Sequence, residues 1–138
     1  MEKAKLLLIE ECPELRKVIS LMIGCVFPSL EVFSTEEPEK AYTFVKKEFV
    51  GIAIVGCTEE KKKSVEIIKR LKTQEPELPL IIMSGDIESF RETLGEERRR
   101  GVINPQDYPC LVLRKPFDMS ELSWAINAVF QAKFDNTQ

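Results

Sequence analysis

The sequence predicts an α/β protein, a doubly wound five-stranded parallel sheet carrying five helices. Short apolar runs rich in branched residues alternate five times with segments of helical period. The runs are apolar enough to be strands covered on both faces, so helices are expected to pack on each side of the sheet. At 138 residues with 43% hydrophobic and 31% charged content, the chain fits one globular domain with its own core.

Lys5–Ile9 reads as the first strand, and Pro13 suits the first turn of a helix carrying Leu15, Val18, Leu21 and Met22 on one side. Leu30–Phe33 is the second strand, and Pro38 opens a helix with Ala41, Phe44 and Val45 inward. Gly51–Val55 is the third, followed by a helix with Val65, Ile68 and Leu71 at helical spacing. After the turn EPELP, Leu80–Met83 forms the fourth strand. A polar helix then spans about 87–100 and stops before Gly101. Leu111–Leu113 is the core of the fifth strand. Asp118 and Glu121 make a capping-box start for a last helix with Leu122, Ala125, Ile126 and Val129 inward. Residues 1–132 form the domain, and 133–138 a polar tail expected to fray.

A net charge of −3 offers no general attraction for nucleic acid or a membrane surface. No apolar run approaches the roughly 20 residues of a membrane span, and acids follow the first short run where a leader would need small residues. Cys12, Cys25, Cys57 and Cys110 are widely spaced, with no CxxC and no histidine, so zinc and disulfide frameworks are poorly supported. Free thiols in a cytoplasmic protein are expected.

Open parallel sheets hold their sites at the carboxyl ends of the strands. Those ends supply Glu10-Glu11, Gly56-Cys57-Thr58, Ser84-Gly85 and Lys115-Pro116. With IEECPELR after the first strand, GIAIVGCTEEKKKSVEIIKRLK around the third, LIIMSG at the fourth and LRKPF at the fifth, the chain resembles the CheY-like receiver domains of bacterial two-component response regulators. The resemblance runs from about Lys3 to Phe130 and makes residues 1–132 a receiver-like domain of flavodoxin-like order. In that family an acid pair holds Mg²⁺ and an aspartate ending the third strand takes a phosphoryl group from a histidine kinase. A Ser/Thr and a lysine bind its oxygens.

By that resemblance Glu10 and Glu11 stand at the acid pair, Ser84 at the hydroxyl, Lys115 at the lysine and Thr58 at the metal-contacting carbonyl. Gly56 stands at the phosphoacceptor, and no aspartate occurs between Glu10 and Asp86. Glycine offers no carboxylate for an acyl phosphate, so the resemblance implies a pseudo-receiver that is not an enzyme. Glu10 and Glu11 are the metal candidates, with weak Mg²⁺ binding at most and no other cofactor. Lys115 is expected to pair directly with one of them, filling the space above Gly56. The plainer alternatives are a solvated Glu10-Glu11 pair at a helix start and a turn role for Ser84. Cys57 should point away from the pocket by strand alternation. The Lys115–Pro116 bond is expected to be cis by family analogy.

Val112 stands where receivers carry a Tyr or Phe switch, and the segment before the fifth strand, RRRGVINPQDYPC, is longer than usual. By the resemblance, the face formed by the fourth helix, fifth strand and fifth helix is the expected partner face, bearing Arg98, Arg99, Arg100, Tyr108 and Val112. It would receive a protein partner, an attached output domain or a second copy through helix 4, strand 5 and helix 5. Charges solvating a helix end are the plainer reading of the arginines. Trp124 is expected in core or rim packing. A small-ligand or ion sensor using the space over Gly56 is the alternative function. A phosphorylatable receiver would require a different register, with Glu59 or Glu60 the nearest acids.

Overall fold

The computed structural model describes residues 4–136. Ala4–Ile9 (β1), Leu30–Thr35 (β2), Val50–Gly56 (β3), Leu80–Ser84 (β4) and Leu111–Arg114 (β5) form one parallel sheet in the order β2-β1-β3-β4-β5. The helices are Pro13–Val26 (α1), Pro38–Lys47 (α2), Lys61–Gln74 (α3), Ile87–Arg99 (α4) and Met119–Asn136 (α5). A single 3₁₀ turn, Pro105–Asp107, lies in the long segment before β5.

Strand alternation sorts the core into two layers. Leu7, Ile9, Ala53, Val55, Leu80 and Ile82 pack under α2, α3 and α4. Leu6, Leu8, Ile52, Ile54, Ile81 and Met83 pack under α1 and α5. Every residue of β3 is buried, because it runs between β1 and β4 with helices over both faces. Each such branched side chain contributes about 1.5–3 kcal/mol by leaving water.

Local chemistry sets the helix ends. Asp118 and Glu121 form the reciprocal capping box, with Glu121 N–H donating to Asp118 Oδ1 at 2.8 Å and Asp118 N–H to Glu121 Oε1 at 3.2 Å. Gly101, at φ +77°, closes α4. Val102 N–H reaches Glu97 O and Gly101 N–H reaches Arg98 O, the paired bonds of a Schellman end. Beyond it Ile103 is buried in the α2/α3/α4 layer, anchoring the long segment.

Two packing expectations are corrected. Helix α1 turns Ile19 and Ile23 to the sheet, while Val18 and Leu21 face solvent. The helix is apolar around much of its circumference, so its period alone does not select the inner stripe. Trp124 is 63% exposed rather than packed into core or rim, because Leu122, Ala125, Ile126 and Val129 take the inner face of α5. Helix α5 also continues to Asn136, past the boundary expected at 132, and residues 137 and 138 of the tail lie outside the described residues.

Candidate functional site

The order β2-β1-β3-β4-β5 places the reversal in strand order between β1 and β3, and the crevice at their carboxyl ends is where this architecture holds a site. Ile9 is in register with Val55, so the next residues, Glu10 and Gly56, lie side by side. The Glu10 side chain is buried and folds over the glycine. A Cβ built on Gly56 would fall on Glu10 Oε1 and lie 2.9 Å from its Cδ. The space above Gly56 is therefore occupied by a neighbouring carboxylate. In this structure the Glu10 carboxylate takes the room that an ion or small ligand would use there.

Glu10 is held on every side. Lys115 Nζ donates to Oε1 at 2.8 Å, and the backbone N–H of Cys12, the N-cap of α1, donates to Oε2 at 3.0 Å. Arg16 Nη1 donates to Glu10 O at 2.8 Å, and Glu10 N–H donates to Thr35 O at 3.0 Å. Lys115 follows β5 in a cis Lys115–Pro116 unit, and its N–H donates to Ser84 O at 2.8 Å. The expected Lys115–Glu10 pair is present. A carboxylate, an ammonium and the positive end of a helix balance one another in a buried place.

The other predicted residues take more local roles. Glu11 turns outward, exposed, with its carboxylate 3.9 Å from Lys63 Nζ. Ser84 is buried, and its Oγ accepts the N–H of Asp86 at 3.1 Å, a turn leading into α4. Thr58 N–H donates to Ser64 Oγ at 3.0 Å, and Thr58 Oγ1 donates to Glu60 O at 2.8 Å. The Thr58 carbonyl accepts Lys61 Nζ at 3.4 Å. Cys57 packs against the α2/α3/α4 layer, away from the Glu10–Lys115 pair, as alternation requires.

These residues do not fit Mg²⁺. Of the acid pair only Glu10 points inward, and both its oxygens already accept hydrogen bonds. Lys61 brings its ammonium to the carbonyl that would face the ion. Among the described residues no group of three or more His, Cys, Asp or Glu could hold a metal. The acid pair is split because α1 begins at Pro13, which lets Glu10 cap the helix from beneath while Glu11 remains in the exposed connection.

Sequence reasoning missed Arg16, Lys61, Ser64 and the Cys12 N–H as supports of this site. Pro13 marking the helix start was the available sign for Cys12, but nothing in sequence spacing ties Arg16 or Lys61 to a carbonyl.

On the other flank, Arg91, Leu94, Gly95, Tyr108, Pro109 and Val112 line a groove of about 450 Å³ between α4 and β5. Arg98 and Arg99, one turn beyond Leu94 and Gly95, continue the α4 side of it and make no ion pair among the described residues. Arg100 is drawn instead to the buried Glu97, 2.9 Å away.

This architecture is the fold of response-regulator receiver domains, the CheY-like fold. The chain is similar over 94% of its length to a response regulator receiver domain protein from Clostridium thermocellum, with TM-score 0.72, 21% identity and 96% of that chain covered. It is similar over 91% of its length to the receiver domain of a sensor histidine kinase from Pseudomonas aeruginosa that has a magnesium ion in its active-site cleft. There the TM-score is 0.73, with 18% identity and 96% coverage of that chain. A third likeness, over 98% of this chain but 54% of the other, is to a redox sensor of the streptococci evolved from two-component response regulators, with TM-score 0.76 and 18% identity. No protein-family model matches the chain, and no curated protein matches it.

Proposed function

We propose that the protein is an atypical, receiver-like signalling module that works through protein contacts without being phosphorylated. It is not an enzyme in this reading, and it acts in the cytoplasm, with no helix among the described residues long and apolar enough to cross a membrane. The observation that carries the reading is the Glu10 carboxylate lying over Gly56 and bonded to Lys115. A phosphoacceptor is missing, and the volume and the lysine that a phosphoryl group would use are both taken.

The α4–β5 groove is the surface for the partner, whether a separate protein or an output domain. Val112 leaves the groove open where a ring would fill it, and Arg91, Arg98 and Arg99 favour an acidic partner.

The experiment is intact-mass measurement after incubation with acetyl phosphate and Mg²⁺ under conditions that preserve acyl phosphates. The expected result is no added phosphoryl mass. A clean single phosphoryl gain would refute the reading and place an acceptor elsewhere, Glu59 and Glu60 being the nearest acids beyond β3.

A further inference from the structure

Between α1 and the turn after β5, Leu15, Val18, Ile19, Met22 and Phe117 enclose a cavity of about 280 Å³. Lys115 is the one polar side chain among the described residues that line it. The cavity is separate from the space over Gly56, which the Glu10 carboxylate fills, yet the two share Lys115. An ammonium has three N–H donors. Among the described residues Glu10 Oε1, at 2.8 Å, is the one acceptor bonded to Lys115 Nζ, and the lysine side chain is 24% exposed. Donors are left over for a molecule in the cavity.

We infer that this cavity binds a small, neutral, apolar molecule carrying a hydrogen-bond acceptor, such as a ketone or an ester. Its walls supply the apolar contact and Lys115 orients the acceptor, the usual division of labour in a small-molecule site. An apolar cavity of about 150 Å³ already admits a benzene-sized molecule, so this one has room for a ring or a short chain.

Charge decides against ionised ligands. Lys115 and Glu10 already neutralise each other. A ligand carboxylate brought to Lys115 would be set against the Glu10 carboxylate, and a ligand ammonium against Lys115 itself. A neutral acceptor meets neither penalty and uses a donor that the pair leaves over. The site goes beyond the signalling role proposed above, and it does not depend on whether a phosphoryl group can be accepted.

The test is methyl NMR of the 138-residue chain labelled at Ile, Leu, Val and Met, titrated with cyclohexanone, cyclohexanecarboxylate and cyclohexylamine. For a ketone of about seven non-hydrogen atoms the expected Kd is roughly millimolar. The methyl signals of Val18, Ile19 and Met22 should shift and saturate. That of Val102, exposed beyond α4 on the opposite side of the sheet, should stay still. The carboxylate and the amine should bind at least about tenfold more weakly. Lys115→Met removes the donor and Val18→Phe narrows the mouth, and each should weaken ketone binding at least about tenfold. Val18 is half exposed, so Val18→Phe keeps the test valid should Lys115→Met fail to fold.

No saturable shift at Met22 overturns the inference and leaves the cavity to a side chain of a protein partner. Charged analogues binding as tightly as the ketone overturn it, as do equal shifts at Val102 and Met22. Binding indifferent to both variants also overturns it.

Discussion

At position 56 a side chain would compete with the Glu10 carboxylate for one volume, and Glu10 is the better anchored of the two. Gly56→Asp should therefore displace Glu10 from Lys115 and set two carboxylates together. The expected cost is about 1–3 kcal/mol, read as a lower urea midpoint than wild type. An unchanged midpoint would mean that Glu10 moves aside freely. Lys115→Met removes the partner of a buried carboxylate while roughly keeping the volume. Breaking such a pair costs about 3–5 kcal/mol when both groups are deeply buried. Lys115 keeps 24% of its side-chain exposure, so about 2–3 kcal/mol is expected. Comparison with Glu10→Gln and the double variant in a thermodynamic cycle isolates the pairwise part. No measurable coupling would show that the bridge contributes nothing to holding the site.

Single elements carry their own tests. The reciprocal bonds between Asp118 and Glu121 start α5, and Asp118→Ala should lower stability by about 1 kcal/mol in thermal melts. Helix α2 buries Tyr42 beneath the Arg70 guanidinium, whose carbon lies 4.2 Å from the ring centroid. Burial raises the phenol's pKa, only partly opposed by Arg70. The folded protein thus holds the Tyr42 proton at a pH where the unfolded chain releases it. That contribution to stability is intact below the ordinary tyrosine value of about 10 and is lost as pH rises through the folded value. Urea midpoints should fall between pH 9 and pH 11, and Tyr42→Phe should flatten the fall. An equal fall in the variant would assign it to other groups.

For the whole molecule, a donor set that does not fit Mg²⁺ predicts an unresponsive fold. An ion that binds only the folded state raises the thermal midpoint by linkage, so millimolar Mg²⁺ should shift it by less than about 1 °C. A clear upward shift would show that Glu10 can leave Lys115 for a metal. The arginine-bearing α4–β5 groove is the surface on which a partner is expected. Loss of partner binding in Arg98→Glu, with the fold intact, is the expected pattern.

The sequence by itself determined the five strands, their helices and the absence of a carboxylate at position 56. Branched apolar runs and prolines at helix starts are local signals that tertiary packing had no reason to override. The strand ends also named Glu10, Lys115 and Ser84, because a parallel sheet collects its strand termini at one edge. Only the tertiary structure decided which glutamate turns inward, since that depends on Pro13 starting α1 and on the Ile9–Val55 register between strands distant in the chain. It alone exposed Val18, Leu21 and Trp124, because helices with apolar residues on more than one side leave the inner stripe to be chosen by the sheet beneath them. Residues 18–30 and 122–132 were legible as two stretches without a charged residue. Their meaning required α1 and α5 to be neighbours, and that adjacency is a property of the fold.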